Sequence, residues 1–319
     1  MRRRGLNIRK GFLKLVMPVL RTLSPRMASK LIAGIGRTEY TLLPSLRHRV
    51  HAAVERGNVY FGGHWNIPTV GRELAGNQIR WRTRDQLLDG LPHDRVAPLF
   101  SVTGRDALDA ALGLGKGVIL LCNHFGAHMM PAHWLVRTDY PLRLYMERPR
   151  HISKFLSRQF DSEGPLGQRK LFISRRSNPA EAAGSILRAS RNLAAGHILM
   201  IACDVRWPGA HSATATFLGD PYTFSATWVT LAALSGAPVV PVFCRVDEES
   251  TYHLEFLPHY HIPRQAQRAE QAIPFVQAAL NQIEERVRMY PENSNEYFFW
   301  AESDELAQAQ GHAPREQET

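Results

Sequence analysis

Residues 117–126 read Gly-Val-Ile-Leu-Leu-Cys-Asn-His-Phe-Gly, a run of apolar residues that ends on an Asn-His pair. A short, uninterrupted apolar run bounded by glycine is typical of a strand that is buried on both faces of a sheet. Similar runs recur along the chain, and segments with helical periodicity separate them. This alternation predicts an α/β fold, with a mostly parallel central sheet flanked by helices.

The pattern along the chain predicts the positions of the individual elements. Strands are expected at residues 98–102, 117–122, 142–146, 170–174, 197–203 and 238–246, with a late strand at 251–257. Helices are expected at residues 104–114, 126–137, 179–195, 224–236 and 270–290. Residues 10–57 are expected to be helical with breaks at Pro18, Pro25 and Pro44, because proline interrupts a helix interior.

Composition and cysteine usage indicate a globular protein of a reducing compartment. The chain has 319 residues, of which 44% are apolar, so it can bury a substantial core. Cys122, Cys203 and Cys244 lie inside apolar runs, where a thiol is typically a small buried hydrophobe. Their spacing fits neither a disulfide framework nor a metal site, which favours the cytoplasm.

The domain organisation follows from the same pattern. No Ser/Gly linker divides the chain, so we expect one α/β domain over residues 45–303. Residues 1–44 are expected to form a basic, amphipathic, membrane-associating helical lead before it. The tail at 304–319, rich in Gln, Glu and Ala, is expected to be disordered.

The formal charge of +10 favours an anionic partner, and the basic start of the chain indicates which kind. Five basic residues within the first ten positions precede an apolar stretch that Lys14, Pro18 and Arg21 interrupt. The apolar run is therefore far shorter than the ~20 residues needed to cross a bilayer. A helix lying on an anionic membrane surface fits this pattern, and an ordinary amphipathic helix packed on the domain fits it equally well.

A nucleic-acid binder ranks last among the candidate functions, because no helix-turn-helix, zinc-finger or RNA-stacking signature accompanies the charge.

Polar residues follow two of the predicted strands at their carboxyl ends. His124 comes after the strand at 117–122, and Asp204 ends the strand at 197–203. Open α/β sheets bind ligands at this edge, where a histidine can take a proton from a bound hydroxyl. On position alone, His124 is either such a general base or a structural residue that caps the following helix.

Four arginines near strand ends either bind phosphate or are solvated loop charges; they are Arg148, Arg175, Arg176 and Arg206.

Five motifs, in order over about residues 45–300, resemble the lipid A biosynthesis acyltransferases. This family comprises lauroyl and myristoyl transferases within the lysophospholipid acyltransferase superfamily. The motifs are His124-Phe125-Gly126, Asp204, Phe217-Leu218-Gly219, Gly-Ala-Pro-Val-Val-Pro at 236–241, and a closing Pro291-Glu292 followed by Tyr-Phe-Phe-Trp at 297–300.

The resemblance implies an enzyme that moves an acyl chain from acyl carrier protein or acyl-CoA to a hydroxyl of a membrane lipid, such as a lipid A-type glycolipid. It implies a peripheral protein at the cytoplasmic face of the bacterial inner membrane, with no metal or organic cofactor. His124 is then the general base, and backbone N–H groups stabilise the oxyanion. Gly126 and Gly219 join the four arginines in the expected substrate-binding set.

One position departs from the family pattern. Members have Glu or Asp five positions after the catalytic histidine, and this chain has Met129 there. Either another part of the fold supplies the carboxylate, with Asp204 the first candidate and Glu147 the reserve, or the chain is an inactive or diverged lipid-binding homologue. The first interpretation predicts that an Asp204 carboxylate oxygen lies ~3–4 Å from a ring nitrogen of His124.

Overall fold

The computed structural model describes residues 15–147, 169–173, 179–207, 209, 211–294 and 297–300. Arg148, Arg175, Arg176, the first part of the N-terminal lead and the tail at 304–319 lie outside these residues. The strands are β1 (Phe100–Thr103), β2 (Val118–Cys122), β3 (Leu142–Glu147), β4 (Lys170–Ile173), β5 (Ile198–Ala202), β6 (Ser212–Phe217), β7 (Asp220–Ser225), β8 (Val239–Val246) and β9 (Tyr252–Phe256).

Among the described residues, seven strands form the central sheet, in the order β1-β9-β8-β2-β5-β3-β4. Strands β8, β2, β5, β3 and β4 run parallel to one another. At one edge β9 pairs antiparallel with β8, and β1 runs parallel to β9. Strands β6 and β7 form a separate antiparallel hairpin. The expected α/β fold with a mostly parallel sheet is therefore confirmed.

The middle of the sheet is the centre of the core. Every residue of β2 is buried, and β5 is buried over its first four residues. The two strands are neighbours in parallel register, with Cys122 opposite Ala202. Their carboxyl ends are therefore level, and the residues that follow them lie at the same edge of the sheet.

The helices are α1 (Pro25–Leu42), α2 (Pro44–Tyr60), α3 (Ile67–Leu88), α4 (His93–Val96), α5 (Arg105–Gly113), α6 (Met130–Arg137), α7 (Pro179–Ala194), α8 (Thr227–Ser235) and α9 (Ala269–Met289). Single 3-10 turns lie at Ala97–Leu99, Arg264–Gln267, Pro291–Asn293 and Tyr297–Phe299. Residues 15–20 are also helical. None of the helices within the described ranges combines the length and the hydropathy that crossing a bilayer requires.

The N-terminal helices follow two of the three expected proline breaks. Pro25 and Pro44 each stand at the start of a helix, where a missing N–H is tolerated, and Ser24 caps α1 by accepting from the N–H of Met27 at 3.3 Å. Pro18 breaks nothing, because it lies within the helical residues 15–20. Helix α1 packs on α3 through buried residues that include Ala28 and Ile32. The boundary at residue 44 between lead and domain stays a prediction.

Two predicted helices begin later than expected. The segment predicted as a helix from residue 126 begins at Met130, because residues 123–127 are held in a turn by bonds to other elements. The segment predicted from residue 224 begins at Thr227, because Phe224 and Ser225 still belong to strand β7.

Candidate active site

The chain leaves β2 in a turn that is fixed on both sides. The side-chain oxygen of Asn123 accepts from the N–H of Phe125 at 2.9 Å, and its amide nitrogen donates to the carbonyl of Val242 in β8 at 3.3 Å. The N–H of Gly126 donates to the carbonyl of Asn293 at 2.6 Å, and the N–H of Ala127 donates to the carbonyl of Cys244 at 2.8 Å. The backbone around His124 is therefore held by β8 and by the Pro291–Asn293 turn.

Gly126 is required by this close approach. Its φ is +58°, in the left-handed region, and a Cβ atom at this residue would overlap the carbonyl oxygen of Cys244. Backbone conformation and space therefore explain why residue 126 is glycine. The expected part of Gly126 in substrate binding stays a prediction.

His124 and Asp204 are in direct contact. Nδ1 of His124 lies 2.9 Å from Oδ1 of Asp204, and the His124 N–H donates to Oδ2 of the same carboxylate at 2.8 Å. The Asp204 side chain is 0% exposed, whereas 38% of the His124 side chain is exposed. The structure thus has the contact that the sequence predicted, with the carboxylate buried behind an imidazole that is open to solvent.

A third residue, Tyr297, completes this hydrogen-bonded group. Its hydroxyl donates to Oδ2 of Asp204, and the N–H of His124 also donates to the hydroxyl oxygen at 3.0 Å. Tyr297 is buried. Sequence reasoning placed Tyr297 in the closing aromatic motif and gave it no part in the site. The only sequence signal for Tyr297 was its membership of that motif, one of the five that carry the resemblance.

The surroundings keep Asp204 ionised. Burial by itself raises the pKa of Asp204, but the charge of His124 and the hydrogen bonds from the His124 ring, Tyr297 and the His124 N–H together outweigh burial and hold this pKa below its usual value. Burial and the negative charge of Asp204 raise the pKa of Tyr297 well above its usual value. At neutral pH the group therefore contains a carboxylate and a protonated phenol.

Met129 and His128 do not replace the family carboxylate. Met129 is uncharged and packs against the core just before α6. The ring of His128 lies with its centroid 5.0 Å from that of His124. Burial and the nearby charges of His124 and Arg84 hold the pKa of His128 well below its usual range, so this ring is neutral. The anion beside His124 therefore comes from the segment just after strand β5 rather than from the start of α6.

The other expected site residues lie in different surroundings. The guanidinium of Arg206 lies over the rings of Trp300, at 4.4 Å, and Tyr222, at 5.1 Å, which is a cation–π arrangement. Gly219 lies in the turn between β6 and β7, beside the ring of Tyr60. The expected parts of Arg206 and Gly219 in substrate binding stay predictions. Glu147, the reserve candidate for the carboxylate beside His124, is the last residue of β3. The carboxylate that contacts His124 is that of Asp204, the first candidate.

Comparison with known proteins identifies the family. The chain matches the model of the bacterial lipid A biosynthesis acyltransferases over residues 85–300, which is more than half of its length. The chain therefore belongs to this family, and it is an acyltransferase that acts on lipid substrates. The matched region contains His124, Asp204 and Tyr297. A search of curated proteins finds no match.

Proposed function

We propose that this enzyme transfers a fatty acyl chain from the thioester of acyl carrier protein or coenzyme A to a hydroxyl group of a membrane lipid, such as a lipid A-type glycolipid. The pairing of His124 with Asp204 carries this proposal. An imidazole backed by a buried carboxylate, at the edge where an α/β sheet binds ligands, is suited to activate a hydroxyl. Family membership supplies the acyl transfer.

The proposed reaction uses His124 as both base and acid. Nε2 of His124 takes the proton of the acceptor hydroxyl while the hydroxyl oxygen attacks the carbonyl carbon of the thioester. Asp204 stabilises the imidazolium that forms and holds the ring in the tautomer with its proton on Nδ1. The carbon–sulfur bond then breaks, and the imidazolium returns its proton to the departing thiolate. The products are an ester of the lipid and a free thiol.

The backbone after His124 supplies donors for the oxyanion in this proposal. The N–H groups of residues 124–127 all donate within the fold. For the N–H groups of His128 and Met129, no acceptor lies within the described part of the chain. They stand at the start of α6, where the helix dipole favours negative charge. We therefore assign these two groups to the thioester oxygen.

We further propose that the protein binds peripherally to an anionic membrane surface, at the cytoplasmic face of the inner membrane. Met17 and Leu20 are buried against the domain, so one face of the N-terminal helical residues packs on the core. Leu15, Val19, Met27 and Leu31 are exposed, each pair at a helical spacing of four residues. Exposed apolar side chains on a basic segment suit shallow insertion among anionic headgroups.

Activity of a His124→Ala variant tests the proposed reaction. Purified protein is incubated with labelled acyl carrier protein or acyl-CoA and a bacterial lipid extract, and acylated products are identified by mass spectrometry. We expect transfer by the wild type and a loss of ~10²–10⁴-fold in the variant, the usual contribution of a positioned base. His64→Ala, which changes an exposed histidine just before α3, is the matched control.

Two outcomes would contradict the proposal. Turnover at the wild-type rate in His124→Ala would exclude His124 as the base. Lipid binding without transfer by the wild type, with every donor, would favour the alternative that Met129 suggests, a diverged lipid-binding homologue.

Vesicle binding tests the proposed membrane surface. Replacing Leu15, Val19, Met27 and Leu31 by Gln should weaken co-sedimentation with anionic vesicles, because the four exposed side chains no longer insert. The control replaces Leu187 and Leu234, two exposed leucines on α7 and α8, by Gln. Equal binding by the two variants would show that these N-terminal residues do not form the membrane surface.

A further inference from the structure

We propose that Tyr297 is a positioning residue for acyl transfer, whose hydroxyl fixes the Asp204 carboxylate so that one of its oxygens faces the His124 ring. This inference rests on the proposed function, in which the His124–Asp204 pair performs the proton transfer. It gives the closing aromatic segment, residues 297–300, a part in the chemistry.

The hydrogen bonds divide the two carboxylate oxygens between two tasks. Oδ2 of Asp204 accepts from the Tyr297 hydroxyl and from the His124 N–H. Oδ1 contacts Nδ1 of the His124 ring at 2.9 Å. A carboxylate with two donors on one oxygen has little freedom to rotate about its Cβ–Cγ bond. The donors on Oδ2 therefore determine where Oδ1 points.

The direction of the Tyr297 hydroxyl is also determined. The His124 N–H donates to the hydroxyl oxygen at 3.0 Å, so the hydroxyl proton must point elsewhere. Ionised Asp204 has no proton to give, and it can only accept. Tyr297 is therefore the donor, and its raised pKa keeps that proton in place throughout the neutral range. His124, Asp204 and Tyr297 therefore form a ring of hydrogen bonds, in which each residue is bonded to the other two.

Aromatic packing holds the tyrosine ring where these hydrogen bonds need it. The Tyr297 ring meets those of Phe217 and Trp300 edge to face, with centroids 5.2 and 5.3 Å away. The guanidinium of Arg206 in turn lies over the ring of Trp300. Arg206 comes two residues after Asp204, so the segment that provides the carboxylate also steadies the aromatic residues around Tyr297.

Loss of the hydroxyl should act on turnover and leave substrate binding unchanged. Tyr297→Phe keeps the ring and its packing, but it leaves the buried Oδ2 with one donor. A hydrogen bond to a charged group is strong enough that we expect kcat to fall ~10–100-fold. KM should change little, because buried Tyr297 stands behind Asp204 and not on the exposed side of His124.

The experiment is a double-mutant cycle on the full-length protein. Rates of acyl transfer are measured for the wild type, Tyr297→Phe, Asp204→Asn and the double variant. If Tyr297 acts through the carboxylate, its replacement lowers kcat in the wild type and has little further effect in the Asp204→Asn background. An equal fall in both backgrounds, or unchanged kcat in Tyr297→Phe, would overturn the proposal.

A matched control separates this effect from general destabilisation. The hydroxyl of Tyr140 donates to Asp109 at 2.6 Å, and Tyr140 lies just before β3, away from the carboxyl ends of the strands. Tyr140→Phe therefore loses the same kind of bond away from the site, and its kcat should equal that of the wild type. Thermal melting of all variants shows which of them are folded.

A spectroscopic measurement keeps the inference testable even if no transfer is found. The ¹⁵N resonances of the His124 ring, assigned with His124→Ala, report which nitrogen carries the proton. We expect the proton on Nδ1 in the wild type and in Tyr140→Phe, and a mixture of tautomers in Tyr297→Phe. An unchanged tautomer in Tyr297→Phe would refute the positioning role, whereas the absence of transfer by the wild type would refute the proposed function alone.

Discussion

Replacing Asp204 by asparagine removes one charge while keeping the shape of the side chain. The His124 N–H and the Tyr297 hydroxyl both point at the position of Oδ2, so the oxygen of the new amide is expected there. The NH2 group then faces Nδ1 of His124 and donates to it, which moves the ring proton to Nε2. The nitrogen that should accept the substrate proton already carries one.

The size of the effect follows from the contact between the two groups. Nδ1 and Oδ1 are 2.9 Å apart, and the centres of charge are roughly 4 Å apart. At an effective dielectric constant of about 20, two unit charges at this separation attract each other by ~4 kcal/mol. Since ~1.36 kcal/mol corresponds to a tenfold change in rate, kcat should fall about a thousandfold. KM should stay similar, because the imidazolium forms only as the reaction proceeds.

The assay compares initial rates of acyl transfer for wild-type protein and Asp204→Asn over a range of acceptor concentrations. Asp109→Asn is the control, since Asp109 also accepts a tyrosine hydroxyl, is half-exposed and lies on α5, outside the turn that holds His124. A folded Asp204→Asn variant with kcat within about fivefold of the wild type would refute the catalytic pairing and would leave His124 acting without an anion.

Two further predictions concern stability. Burial raises the pKa of Glu292, so ionisation of this side chain destabilises the folded protein; the cost is complete above the raised pKa and disappears as the pH falls from there to ~4.3, the ordinary value. Glu292→Gln should therefore increase the free energy of urea unfolding at pH 7, and this gain should shrink as the pH falls through that window. No gain at pH 7 would contradict this prediction. Gly126→Ala should lower stability, measured by thermal melting, by at least ~2 kcal/mol, because the backbone here is left-handed and a Cβ atom would overlap the carbonyl oxygen of Cys244. Gly113→Ala is the control: it has open space around it, so the change should be neutral or slightly stabilising. Equal stabilities of the two variants would contradict the steric argument.

The sequence predicted the parts of the fold that are buried on both sides. Strands β2 and β5 were expected at 117–122 and 197–203, within about a residue of their observed ends, because a run without polar residues has few alternatives. The contact of His124 with Asp204 was also predicted, since parallel strands present the residues after them at one edge.

Helix α3 and the β6–β7 hairpin were missed for physical reasons. Helix α3 buries Asn77, Arg80 and Thr83, so polar residues interrupt the apolar periodicity that would have indicated it. The buried Arg80 donates to Asn77, one turn earlier on the same helix, and to Ser250 and the carbonyl of Ser29, which only the fold brings close to it. Strand β6 reads Ser-Ala-Thr-Ala-Thr-Phe, in which small residues give only a weak strand signal.

The role of Tyr297 could not be derived from local sequence. It lies 93 residues from Asp204 and 173 residues from His124 along the chain. Its contacts depend on how the segment after α9 returns across the sheet edge, and no periodicity encodes that path. The substrate-binding arginines at 148, 175 and 176 stay predictions, because they lie outside the described residues.

The parallel register of β2 and β5 sets the spacing that the His124–Asp204 contact requires. Cys122 lies opposite Ala202, and His124 and Asp204 each follow two residues later, so the two side chains meet because both strands overhang equally. An inserted residue after one strand alone would turn one partner away from the other. The proposed mechanism therefore requires the same number of residues between each strand and its member of the pair. A charge at position 129 is no part of this requirement, because the pair forms here beside an uncharged Met129.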